Sequence, residues 1–214
     1  MISFIDLQDR FPKLRQCSLP GQEAQLEMAA VQRIKELTDV NRLNKKYKKA
    51  SVVMLVYPKK EENYFVLIKR VTSTGKHSGQ IAFPGGRRES IDQDNMTTAI
   101  RELKEEIGVE IDRNNVLQAG TPLYIPPSNY MVYPFLAFAK AEPKFIAQES
   151  EVAGIIEVPL SSLLNPESIT TTTISNNYME NLQVPSFMFE EVVVWGATAM
   201  MLNEFKHLFL KVLQ

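Results

Sequence analysis

Phe83-Pro84-Gly85-Gly86-Arg87-Arg88-Glu89, running on to Arg101-Glu102-Leu103-Lys104-Glu105-Glu106-Ile107-Gly108-Val109, is the stretch around which the rest of the chain falls into place. Pro84 and two glycines stop a strand and open a tight loop. A polar spacer follows, and then a helix. Asp94 or Asn95 suits its N-cap and Gly108 its C-terminal stop. Met96, Ala99, Ile100, Leu103 and Ile107 recur at helical spacing and predict the buried stripe. Glu102, Glu105 and Glu106 stand at i, i+3 and i+4, so their carboxylates leave one side of neighbouring turns. That side borders the apolar stripe, which places the acids at the edge of the core.

Like charges at these spacings destabilise a helix. A hard divalent cation reverses the sign of that effect, because Mg²⁺ takes carboxylate and water oxygens. Spacing alone also fits a solvated acidic helix face, and it is the loop ahead of the helix that separates the two readings. Gly86, Arg101-Glu102, Glu105-Glu106 and Gly108 together resemble the Nudix box, the loop-helix signature of hydrolases that split a nucleoside diphosphate linked to another group. Asp92 stands where the box has its first Glu, and one extra residue separates it from Arg101. The resemblance implies an α/β fold, the Nudix-type α/β/α sandwich with a mixed β-sheet. It implies Mg²⁺ or Mn²⁺ held by Glu102, Glu105 and Glu106 with Gly86 in the same set, and an Arg101 that orients a metal-binding Glu.

A second set of residues narrows the family. Leu67-Ile68-Lys69-Arg70 and His77-Ser78-Gly79-Gln80-Ile81-Ala82-Phe83-Pro84-Gly85-Gly86 resemble the additional motif of coenzyme A pyrophosphatases, with Val71 in place of its Ser. This resemblance implies hydrolysis of coenzyme A or acyl-coenzyme A to adenosine 3′,5′-bisphosphate and 4′-phosphopantetheine. It puts His77 and Gln80 against substrate. Arg70 ends a strand beside the loop and joins them, and Arg87 adds local positive charge. The alternatives within the family are ADP-ribose, dinucleotides or nucleoside triphosphates. A non-catalytic nucleotide-binding module disagrees with the full set of box carboxylates. Glu105, Arg101 and Glu151 are the expected catalytic residues. Where the box acids are all spent on metal, the general base lies elsewhere. In Gln148-Glu149-Ser150-Glu151-Val152, an acidic loop feeding a strand, Glu151 stands at the junction, either to take the water's proton or to complete the metal shell, with Glu149 in reserve.

The 214 residues allow one sizeable domain with a core. The expected division is a helical extension over 1–48, packed on a hydrolase domain over 49–214. Apolar residues make up 44%, and no run reaches bilayer length. The first residues lack a basic region followed by a long apolar one, and a single cysteine, Cys17, excludes an internal disulfide. Together these predict a cytoplasmic protein with no membrane partner. Two histidines and one cysteine make a His/Cys zinc site improbable, and a net charge of −1 speaks against coating nucleic acid. The apolar N-terminal segment leaves a homodimer open.

Outward from the box, residues 2–15 predict one amphipathic helix and Gln22 to Thr38 a second. The cluster Lys45, Lys46, Lys48 and Lys49 predicts a solvated linker. Ser51–Tyr57 and Tyr64–Arg70 predict a hairpin, with the first strand covered on both faces. Short strands are expected at Gln80–Phe83, Asn115–Tyr124, Tyr130–Lys140 and Glu151–Val158, with a helical turn over Pro159–Leu164. Ile169–Ile174 predicts an edge strand, and Leu182–Val194 holds further strands beyond an Asn176-Asn177 turn. Trp195–Val212 predicts the last helix, with Trp195 and His207 structural. Tyr124, Tyr130 and Tyr133 surround Pro126-Pro127 and suit either sheet packing or stacking on a substrate ring.

Overall fold

The computed structural model describes residues 3–39, 46–72, 79–176 and 179–213. Four short helices come first: α1 (Phe4–Gln8), α2 (Phe11–Gln16), α3 (Gln22–Leu26) and α4 (Val31–Thr38). Each of the two helices expected here is therefore broken. Gln22–Thr38 breaks at Glu27–Ala30, where the amides of Met28 and Ala29 bond back only to Gln25 and Leu26 and Ala30 is extended. A straight helix would present its broad apolar set on both sides. The break buries Met28, Ala29 and Leu37 together.

Strand β1 (Lys48–Lys59) and β2 (Glu62–Arg70) form the expected hairpin. Around them lie β3 (Ile81–Ala82), β4 (Gly85–Arg87), β5 (Val116–Ala119), β6 (Leu123–Ile125), β7 (Tyr130–Phe138) and β8 (Val152–Pro159). These join in one sheet with the path β3-β2-β1-β7-β5, with β4 on β1, β6 on β7 and β8 on β2. The β1–β7 pair is parallel and the other pairs are antiparallel, so the sheet is mixed. The strand expected over Asn115–Tyr124 is two, because Gly120 and Pro122 interrupt it. Glu204 accepts the Thr121 amide there at 3.0 Å. The lysine cluster also departs from expectation: Lys48 and Lys49 are the first residues of β1 rather than linker.

The two-residue period of the strands sorts the core into two layers. Val53, Leu55, Val66 and Ile68 face the box helix α5 (Asn95–Ile107), packing on Ala99, Leu103 and Ile107. Met54, Val56, Phe65 and Leu67 face the opposite layer, built from the terminal helix α7 (Gly196–Leu213) and the N-terminal helices through Leu7, Leu14 and Met28. This is an α/β/α arrangement. After α6 (Leu160–Leu164), residues 169–195 form a second sheet rather than extending the first: β9 (Ile169–Asn176), β10 (Met179–Phe189) and β11 (Val192–Trp195), all antiparallel. Phe187, Phe189 and Val194 dock it on the α7 layer. Asn177 of the expected turn lies outside the described residues.

Candidate active site

Helix α5 begins where Asp94 accepts the Thr97 amide at 2.8 Å, and it ends at Gly108 with φ 73°. Its buried stripe on the sheet fixes the rotation of the helix, which turns Glu102 and Glu106 toward β4. Gly85 and Gly86 pair with Val52 and Ser51 of β1, so they lie flat against the sheet. The Gly85 amide donates to Glu106 Oε2 at 2.7 Å, and a Cβ on Gly86 would fall on the Glu102 carboxylate. The two glycines therefore form a cradle that only a backbone without side chains can make.

The acids differ in environment. Glu106 is 1% exposed, and burial pushes it up to about 7. The Gly85 amide and Arg70 oppose that rise, and the charges of Glu102 and Glu151 reinforce it. Glu102 is also raised, first by burial, with Arg101 pulling it down and Glu105 and Glu151 pushing it up. Glu105 is more than half exposed and pairs with Arg101 Nη1 at 2.7 Å. Glu151 is exposed at the head of β8, where its carbonyl accepts the Val71 amide at 3.0 Å. A strap over residues 139–151 carries it there. The Ile146 and Gln148 amides bond the Ile107 and Glu106 carbonyls, each at 2.9 Å, which fastens the strap to the last turn of α5.

Two arginines serve this centre. Arg70, expected against substrate, lies with Nη1 3.2 Å from Glu106 Oε1. Arg101 donates from Nε and Nη2 to the two oxygens of Asp92, both at 3.0 Å, and its Nη1 lies 3.0 Å from Glu102. Asp92 is buried and also takes the Thr98 hydroxyl and the Glu89 amide. Arg101 foremost holds its carboxyl down at about 2. Asp92 was legible only as a shortened box acid. Its work as the anchor of Arg101 depends on how the loop closes over α5, which residue type does not reveal.

The remaining expected residues are spread more widely. The Gln80 carbonyl accepts the Arg70 amide at 3.0 Å, beside β3. Arg87 is exposed at the end of β4, and its carbonyl accepts from Arg101 at 3.1 Å. His77 lies outside the described residues. Tyr124 is a sheet residue, buried with its hydroxyl on Asn129 at 3.0 Å. Tyr130 lies under Lys48, and half-buried Tyr133 meets Tyr47 and Asn95.

The chemistry of the site suits a hard divalent cation. All its acids are oxygen donors, two of them are buried and raised by that burial foremost, and the glycine cradle keeps backbone close to them. As the side chains stand, among the described residues no three acids converge as metal ligands, and Arg70 and Arg101 pair with Glu106 and Glu102.

A family model for the NUDIX domain matches residues 47–177. Uncharacterized Nudix hydrolase NudL of Yersinia pestis (strain Pestoides F) is 33% identical over 138 residues, 64% of this chain and 68% of that protein. The NudL of Yersinia pseudotuberculosis serotype O:1b (strain IP 31758) matches to the same extent. Among solved structures, a MutT/nudix family protein from Enterococcus faecalis superposes with a TM-score of 0.55 at 17% identity, covering 92% of this chain and 76% of that one.

Proposed function

This chain belongs to the Nudix hydrolase family, and from that premise we propose that it hydrolyses the diphosphate linkage of coenzyme A or acyl-coenzyme A with Mg²⁺ or Mn²⁺. The observation that carries the reaction is the buried pair Glu102 and Glu106 set against the Gly85-Gly86 backbone. The substrate rests on the resemblance of Leu67–Arg70 and His77–Gly86 to the coenzyme A pyrophosphatase motif.

Glu102 and Glu106 would hold the cation, with the exposed Glu105 and Glu151 within the same electrostatic field. When bound, a divalent cation supplies charge neutralisation at the diphosphate and lowers the pKa of a water. Arg101, clamped by Asp92, keeps Glu102 in place. Arg70 brings a permanent positive charge to the Glu106 side, where diphosphate oxygens would lie. In the reaction a water oxygen bonds to one phosphorus, and the bridging P–O bond breaks with its electron pair on the other phosphate. Glu151 takes the water's proton. It is the acid near the centre that is least engaged by arginine, and it is exposed enough to exchange protons with solvent.

The test is a hydrolysis screen with Mg²⁺ and with Mn²⁺ against coenzyme A, acetyl-coenzyme A, ADP-ribose, dinucleotides and nucleoside triphosphates. The expected result is a kcat/KM for coenzyme A or its acetyl form at least about tenfold above that for ADP-ribose, a difference needing only about 1.4 kcal/mol at the transition state. Equal or better turnover of ADP-ribose, dinucleotides or triphosphates overturns the substrate reading.

A further inference from the structure

Next to the carboxylate centre, on the outer side of the box loop, the described residues enclose an open groove of about 550 Å³. Its walls come from two separate stretches. Tyr47, Lys48 and Lys49 lead into β1, and Arg87, Arg88 and Glu89 follow the box glycines. Strand pairing brings the two together: Ala50 stands opposite Arg87, and the Arg88 amide donates to the Lys49 carbonyl at 2.9 Å. Side chains alternate along both strands, so Lys49 and Arg88 line the groove on the α5 face while Lys48, over the Tyr130 ring, and Arg87 flank it from the other face. The charge of the four is largely uncompensated. Among the described residues no carboxylate lies within ion-pair reach of Lys48, Lys49 or Arg87.

The acids and Arg88 fit the same picture. The Arg88 guanidinium is held by neutral groups, the Asp92 and Gln93 carbonyls at 3.2 and 2.9 Å and Asn95 Oδ1 at 3.4 Å, so it is positioned without being neutralised. Asp92 also borders the groove, but its carboxylate is committed to Arg101, and Glu89 is the one lining acid left without such a partner. Tyr47, in contact with Tyr133, adds an aromatic edge. Gly85, whose amide meets Glu106, is two residues from Arg87, about 7 Å along a strand. That is the scale of one nucleoside between two of its phosphates.

We propose that this groove is a phosphomonoester subsite: it binds a phosphate that the substrate carries apart from its scissile diphosphate. Lys49 and Arg88, on the face of the strands that also meets the carboxylates, are its donors, and Lys48 and Arg87 add charge from the other face. Arginine forks suit a terminal phosphate, and lysine adds point charge. The inference deepens the reading above, because coenzyme A carries such a phosphate at the ribose 3′ position and ADP-ribose does not.

Direct binding separates the subsite from the reaction. Calorimetry would compare adenosine 3′,5′-bisphosphate with AMP, in EDTA and in Mg²⁺, on the full chain and on its Lys48→Ala and Lys49→Ala variants. Both lysines are exposed, and melting curves check that the variants fold. The expected result is at least about tenfold tighter binding of the bisphosphate, with that advantage cut at least about threefold by Lys49→Ala and less by Lys48→Ala, and AMP binding unchanged. Equal binding of the two nucleotides by the wild type overturns the subsite, as does an advantage that survives both substitutions. If coenzyme A is not hydrolysed and the lysine-dependent advantage is nonetheless present, the groove stands and the substrate assignment falls.

Discussion

Glu106 is where burial and charge are most opposed, and its titration gives a test that needs no substrate. Without a cation its carboxyl is raised from an ordinary value of 4.5 to about 7 by burial foremost. The fold therefore favours the neutral form. That contribution is complete below about pH 4.5 and is lost as the pH rises through about 7, on the order of 3 kcal/mol at full extent. In metal-free protein the melting temperature should fall between pH 5 and pH 8, and Glu106→Gln should flatten that fall. Adding Mg²⁺ at pH 8 should raise the wild-type melt and leave the variant's unchanged. Identical pH profiles for the two proteins would remove Glu106 from the ionising pair. Glu106→Gln and Glu102→Gln should each lower kcat by at least about a hundredfold, the scale of one lost electrostatic contact at the transition state. Glu151 calls for a different experiment, since its carboxylate is exposed. As general base, Glu151→Gln should lose about 10² to 10⁴ in kcat and shift or erase the acidic limb of the pH profile under saturating Mg²⁺. A variant within about twofold of wild type across that limb rules the residue out.

Strand β4 is the element on which the site turns, and its two glycines fail in different ways when filled. At Gly85 an added Cβ would meet the Ser51 carbonyl and lie 2.6 Å from the Val52 Cα, both backbone groups with nowhere to move. Gly85→Ala should therefore loosen the β1–β4 pairing and cost about 1–3 kcal/mol in denaturant unfolding. At Gly86 the obstacle is the end of the Glu102 side chain, which can swing aside. Gly86→Ala should leave the unfolding midpoint close to wild type while lowering kcat by tenfold or more. The pair of variants separates support of the strand from placement of the carboxylate, and a reversed pattern would contradict the cradle.

Across the whole molecule, the site side and the far side of the sheet are separately packed. Leu14 is fully buried in the layer formed by α7 and the N-terminal helices, away from the carboxylates. Leu14→Ala should destabilise the protein by about 2–5 kcal/mol through the lost side chain and the cavity it leaves. Its kcat, measured well below the melting temperature, should stay within about twofold of wild type. The far layer is also tied to the sheet by polar groups. The buried Glu204 of α7 accepts the Thr121 amide and the Gln25 side chain, and Asn203 donates to the Ala24 carbonyl at 2.7 Å. A loss of activity in Leu14→Ala beyond its loss of folded protein would mean that the two layers are coupled.

The sequence by itself determined what is local. The cap at Asp94, the stop at Gly108, the i, i+3, i+4 acids and the paired glycines are all set by backbone preference and helical period, and all can be read within one short stretch. The β1–β2 hairpin was legible for the same reason, since β-branched runs flank its turn. Tertiary structure decided whatever depends on two distant stretches meeting. Arg70 reads as a substrate contact at a strand end, and only the laying of β2 beside α5 pairs it with Glu106. Lys48 and Lys49 read as a solvated run until β1 pairs with β4 and sets them against Arg87 and Arg88. The second sheet over residues 169–195 carries the same alternating pattern as the first. Alternation fixes which face of a strand is buried but not which strand it joins, and that choice belongs to long-range pairing.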